Sequence, residues 1–305
     1  MSAWLRIGTR GSALALAQAS ETRRLIAVAH GRSEDEIELV VIKTTGDLIQ
    51  DRALAEAGGK GLFTKELDSA LLEGKIDLAV HSAKDLPTEL PDGLTISGYL
   101  PREDVRDAFI SAKAKTLADL PPGASVGTAS LRRQAQLKRL RPDLNVTLLR
   151  GNVDTRLRRV EAGEIDATLL ALAGLKRLGF DHRATAVLDL AYFLPAVGQG
   201  AIALVTREAQ AIQDTLQPVT DRGTGLAVTA ERAFLRVLDG SCRTPIAGYA
   251  QLSQGRIQMR GQLLKPDGSD LLEASFIGRE ADAERIGTDT GLEIRRRMPA
   301  DYLTA

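Results

Sequence analysis

Cysteine is nearly absent from this sequence: Cys242 is the only one in 305 residues. A disulfide framework and a cysteine zinc site are thereby excluded. Histidine is almost as scarce, and His30, His81 and His182 are too scattered to suggest a metal centre. No metal is expected. Net charge is missing as well, since 40 Lys and Arg offset 40 Asp and Glu. Any attraction for anions must therefore come from local clustering and not from a whole-molecule field. Neither nucleic acid nor a membrane surface is an expected partner. No stretch reaches the roughly 18 apolar residues that a membrane span needs. The run Ala13–Ala17 behind Arg6 and Arg10 is too short for a secretion signal and passes into Gln18, Ser20 and Glu21 on an amphipathic pattern. The expected location is cytoplasmic.

What is present is an alternation of short apolar runs with amphipathic ones. Leu5-Arg6-Ile7-Gly8-Thr9 reads as a strand, and Ser12 as the N-cap of a helix reaching about Ala29. A strand over Glu38–Thr44 follows. Gly58-Gly59-Lys60-Gly61 then opens a helix with Phe63, Leu67, Ala70 and Leu71 on one face. The strand Leu78-Ala79-Val80 runs into His81-Ser82-Ala83-Lys84-Asp85. Such alternation predicts parallel α/β architecture.

Further along, the same events recur in the same order. Val126-Gly127-Thr128-Ala129-Ser130 echoes Ile7 to Ser12. Asn145–Arg150 with Gly151-Asn152 echoes the strand before Gly46-Asp47. Ala162-Gly163-Glu164-Ile165-Asp166 echoes Glu73-Gly74-Lys75-Ile76-Asp77. Three ordered matches predict two lobes of like topology around a cleft, with strand ends and helix N-termini facing it. Two hinged α/β lobes of this kind are periplasmic-binding-protein-like. Residues 218–305 change pattern: a helix over Gly223–Leu238, strands over Pro245–Leu252, Arg256–Leu264 and Leu271–Ile277, and a last helix over Ala281–Arg297. The expected division is residues 1–100 with 200–217, residues 101–199, and a small α+β domain of residues 218–305.

Cys242 falls between that domain's first helix and first strand, in Asp239-Gly240-Ser241-Cys242-Arg243-Thr244-Pro245. Gly240 and Pro245 mark a loop, and Arg243 beside the thiol favours the nucleophilic thiolate. A buried inert thiol is the plainer alternative. The second lobe carries Arg132 and Arg133 at a helix start, Arg150 at a strand end, Arg156, and Arg177 further on. The first offers Arg10, Lys60 and Lys84 at the matching junctions. Cations at helix N-termini oppose the helix dipole, so a bound anion explains them better than helix stability does. Asp85 follows a strand and precedes Leu86-Pro87, where the backbone is stiff. A carboxylate there can stabilise a cation or shuttle a proton, or simply cap a turn.

The stretches Gly58–Phe63, Ala79–Asp85, Gly127–Arg133, Leu149–Val153 and Leu194–Gly200, with Glu231-Arg232 and Gly240–Pro245, resemble the porphobilinogen deaminase (hydroxymethylbilane synthase) family over nearly the whole chain. The resemblance implies a three-domain transferase of tetrapyrrole biosynthesis. It joins four porphobilinogen molecules head to tail with loss of ammonia, on a dipyrromethane cofactor held by a thioether to Cys242. Asp85 matches the family's catalytic aspartate. Ser82, Lys84, Thr128, Ser130, Arg132, Arg133, Arg150 and Gln199 match cofactor-binding positions. Arg10, Ser12, Lys60, Phe63, Arg156 and Arg177 match substrate-binding ones. A monomer is expected.

Three residues depart from the family pattern: Ala129 where many members have serine, Glu56 where some have lysine, and Ser241 where glycine is frequent. A two-lobe solute-binding or sensor protein is the alternative from another class. It leaves Cys242 and the last domain without a role.

Overall fold

The computed structural model describes residues 3–45, 64–238 and 244–303. Contacts divide the chain into two compact units. One is built from the described residues of Met1–Ile49, Gly59–Glu103 and Gly200–Gly225, the other from those of Asp104–Gln199 and Leu226–Ala305.

The first unit holds a five-stranded sheet. In it β1 (Leu5–Thr9) is flanked by β2 (Ile37–Val41) and β3 (Leu78–Ser82), both parallel to it. Next to β3 lies β10 (Ile202–Arg207), antiparallel to β3 and to the outermost strand, β4 (Leu94–Tyr99). The helices α1 (Ala13–His30) and α2 (Lys65–Leu72) pack on this sheet. Leu67, Ala70 and Leu71 of α2 are buried, as their shared face predicts.

The second unit repeats the plan. Its sheet runs β7 (Asn145–Thr147), β6 (Ser125–Gly127), β8 (Ala167–Ala171), β5 (Asp107–Ser111), β9 (Ala186–Val187). Again the first three strands are mutually parallel and the fourth is antiparallel to both neighbours. The helices of this part are α3 (Leu131–Leu140), α4 (Val153–Glu161) and α5 (Leu172–Arg177). Each sheet is thus mixed, where the alternation of elements predicted parallel ones. The apolar runs of β5 and β10 are buried on both faces, and periodicity carries no sign of strand direction.

The sequence echo has a physical basis. Asp77 and Asp166 each pair, backbone and side chain, with the start of the neighbouring strand. Asp77 N donates to Arg6 O at 2.9 Å and Asp77 Oδ2 accepts from Arg6 N at 2.9 Å. Asp166 N donates to Ser125 O at 3.0 Å and Asp166 Oδ2 accepts from Ser125 N at 2.7 Å. The preceding Gly74 and Gly163 take left-handed φ of 69° and 71°. Ile76 and Ile165 fill the space over Gly8 and Gly127, where an added Cβ would stand 2.2 and 2.8 Å from the isoleucine Cδ1. Both lobes therefore close their central strand with one latch.

The second unit also contains an antiparallel sheet, β11 (Ile246–Ser253), β12 (Arg256–Leu264) and β13 (Leu271–Arg279). The helices α7 (Arg222–Val237) and α8 (Ala283–Arg297) share its core of Phe234, Met259, Ile286 and Ile294. A further helix, α6 (Gln210–Leu216), follows β10. No helix among the described residues is long and apolar enough to cross a membrane.

Candidate active site

In the first unit the ends of β1 and β3 lead into helical turns side by side. Ser12 caps α1, its hydroxyl accepting from Ala15 N at 3.3 Å. β3 runs into a single 3-10 turn, Ala83–Asp85. Between these two junctions lies a pocket of about 50 Å3 lined by Arg10, Ser12, Leu14, Ala15, Gln18, Val80, His81, Ser82 and Asp85. Four side chains expected from sequence, Arg10, Ser12, Ser82 and Asp85, thus come together at one cavity. Asp85 is exposed, and no described residue is hydrogen-bonded to its carboxylate, so it is available to a ligand. Lys84 beside it is half-buried. Gln18, which sequence reasoning passed over, is buried under the pocket and donates from Nε2 to Ser82 Oγ at 2.9 Å. Its place on the inner face of α1 was readable, but its partner lies 64 residues further along the chain.

His81 also lines this pocket, is 4% exposed, and leaves its Nε2 without a hydrogen-bond partner. Burial, assisted by the positive charge of Arg10, pulls its pKa down to about 4. The imidazole is neutral at pH 7. An unfolded histidine titrates near 6.5, so between pH 6.5 and 4 the unfolded chain binds the extra proton. The sign is that of a depressed base: stability is intact above pH 6.5 and falls as pH drops towards 4, by about 3 kcal/mol in all. Urea midpoints of His81→Gln are expected to decline less between pH 7 and 4.5 than those of the parent. Parallel declines would show that His81 is not the group responsible.

The second unit gathers cations. Ser130 caps α3, accepting from Arg133 N at 3.4 Å, and Thr128 Oγ1 accepts from Ser130 N at 3.1 Å. The turn β6–α3 is thereby fixed, and it delivers Arg132 and Arg133 to the interior, where they are 5% and 6% exposed. Arg133 donates from Nε and Nη2 to Asp107 Oδ1 at 3.1 and 2.6 Å, and from Nη1 to Leu169 O at 3.0 Å. Arg132 pairs with Asp107 Oδ2 at 2.8 Å, donates from Nη1 to Leu194 O at 2.6 Å, and lies over the Phe193 ring. Gln199 reaches the same carboxylate. The anion seen beside these two arginines is therefore the protein's own, Asp107.

Beyond them the balance stays positive. Arg150 Nη1 is buried with no hydrogen-bond partner. Burial, together with the like charges of Arg133 and Arg150, lowers the Arg156 pKa to about 10. Arg156 Nε donates to Gly151 O at 2.9 Å, which ties it to the capping turn of α4. Arg177 stands at the C-terminal end of α5. Cys242, Lys60 and Phe63, with Glu56 and Ser241, lie outside the described residues.

Residues 5–214 match the family model described as "Porphobilinogen deaminase, dipyromethane cofactor binding domain", and residues 225–296 that of the porphobilinogen deaminase C-terminal domain. The chain belongs to the porphobilinogen deaminase family. With the family come its deaminase activity, its place in porphyrin and heme biosynthesis, and its dipyrromethane cofactor. Similar curated proteins include the porphobilinogen deaminase of Nitrobacter hamburgensis, 56% identical over 98% of this chain and 95% of that protein. That of Paracoccus denitrificans is 54% identical over 98% and 96%. Among solved structures, the methionine binding protein MetQ aligns with a TM-score of 0.45 and 15% identity, over 72% of this chain and 91% of that one.

Proposed function

We propose that this porphobilinogen deaminase joins four porphobilinogen molecules head to tail into hydroxymethylbilane, primed by a dipyrromethane held through a thioether to Cys242. The observation that carries the residue assignment is the surplus of guanidinium groups in the second unit. Arg150 has an orphaned buried nitrogen, and Arg156 is destabilised as a cation by burial first and then by the like charges of Arg133 and Arg150. A ligand bearing two carboxylates on every pyrrole fits that surplus, because each charge-assisted hydrogen bond contributes about 1.5 to 3 kcal/mol. When bound, the dipyrromethane supplies the pyrrole end to which new rings are joined.

The roles divide as follows. Lys84, Ser82, Thr128, Ser130, Arg132, Arg133, Arg150 and Gln199 hold or frame the cofactor. Arg10, Ser12, Lys60, Phe63, Arg156 and Arg177 receive the incoming substrate. Loss of ammonia from porphobilinogen leaves a cation whose charge reaches the pyrrole nitrogen, and a fixed anion lowers its energy. Asp85 is that anion: it accepts from the pyrrole N–H and takes part in proton transfer. Residues 218–305 serve as the cofactor-attachment domain, and residues 1–100 with 200–217 and residues 101–199 form the two lobes. The enzyme works as a cytoplasmic monomer, a reducing setting that suits a single reactive thiol.

The test is an intact mass of the denatured protein. It is expected to exceed the mass of the bare sequence by two linked pyrroles. A mass equal to the bare chain in active protein would remove Cys242 from this role.

A further inference from the structure

Asp107 belongs to none of the sequence motifs, yet three candidate site residues from distant parts of the chain converge on it. It opens β5, opposite Ala171 of β8, and is wholly buried. Its Oδ1 accepts from Arg133 Nε at 3.1 Å, from Arg133 Nη2 at 2.6 Å and from Gln199 Nε2 at 3.1 Å, while Oδ2 faces Arg132 Nη2 at 2.8 Å. The Gln199 amide is tied on a second side to Val105 O at 2.7 Å. Its loop is held in turn: Gly198 N donates to Glu231 Oε2 at 2.7 Å, and Glu231 Oε1 accepts from Ala250 N of β11 at 2.9 Å.

Charge decides what such a carboxylate can do. A buried ion is stable only when paired, and one Asp between two Arg neutralises one of them. The trio keeps one surplus positive charge, held in a fixed place by bonds on both sides. Free of Asp107, two adjacent guanidiniums at the start of α3 would repel each other and the helix dipole and turn away.

We infer that Asp107 is a positioning residue, the buried anchor that sets Arg132, Arg133 and Gln199 in register for a carboxylate-bearing ligand. The inference rests on the function proposed above and adds to it a residue that touches neither substrate nor primer.

The test is Asp107→Asn, assayed for primer occupancy by intact mass, for KM and kcat separately, and for thermal midpoint. The expected result is primer occupancy below that of the parent and, because Arg133 lies close enough to the substrate-binding Arg156 to act on its charge, a KM for porphobilinogen at least tenfold higher, with kcat per primed molecule changed less than threefold. A folded variant with full primer and parental KM would overturn the inference, whatever its thermal midpoint, because a merely structural Asp107 would move only the last. If Asp107→Asn does not fold, the double variant Asp107→Asn with Arg133→Gln removes one charge of each sign and is compared with Arg133→Gln alone. A higher KM and lower occupancy in the double variant support the anchoring of Arg132, and equal values overturn it. A parent that carries no primer would instead count against the proposed function.

Discussion

Asp85→Asn is expected to fold, to carry its primer and to lose at least about 100-fold in turnover, the scale on which a positioned carboxylate contributes to proton transfer and charge stabilisation. Asparagine is nearly the same shape and keeps an acceptor oxygen, so binding contacts survive while the negative charge does not. Stability should barely change, because Asp85 is exposed and no described residue is hydrogen-bonded to its carboxylate. Most of the loss is expected in kcat, since the cation forms only after ammonia leaves. Steady-state kinetics on protein of verified mass provide the check, and parental turnover would mean that the reaction does not use this charge.

Cys242→Ser carries the other large effect. The chain has no second thiol, so the variant has no side chain able to form a thioether to a pyrrole. It is expected to be recovered folded, with a mass equal to its bare sequence, no colour with an aldehyde reagent for pyrroles, and product formation near background. Its thermal midpoint should also fall by several degrees, because a ligand bound only to the folded state stabilises it and here that contribution is gone. An inert buried thiol forecasts the opposite: full activity and a parental midpoint. A pyrrole-free but active serine variant would undo the assignment of this cysteine.

The parts of the molecule that were legible in sequence are those whose physics is local. Ser12 and Ser130 announce helix starts because a hydroxyl there satisfies a nearby backbone N–H. The repeated Gly-x-Ile-Asp is legible because glycine, isoleucine and aspartate each do one job in a single tight latch. What stayed hidden depends on partners far along the chain. The antiparallel β10 reads as any apolar run until Ser82 and Tyr99 are found on either side of it. Asp107 belongs to no motif and drew no reading from sequence. Only Arg132, Arg133 and Gln199, arriving from elsewhere, make it a buried ion. Arginines at a helix start called for a bound anion, and the carboxylate that the structure places between Arg132 and Arg133 is the protein's own Asp107.

The placement of β10 bears on how the chain can be made. β4 pairs with β10 and with no other described strand, yet the whole second sheet is encoded between them. On a ribosome adding about 5–20 residues per second, the roughly 100 intervening residues leave β4 unpaired for about 5–20 seconds. Every strand of the second sheet has emerged before Ile202–Arg207, so the lobe that starts later in the sequence has its complete set first. The N-terminal lobe must wait, its sheet edge open, for a strand supplied after its neighbour is finished.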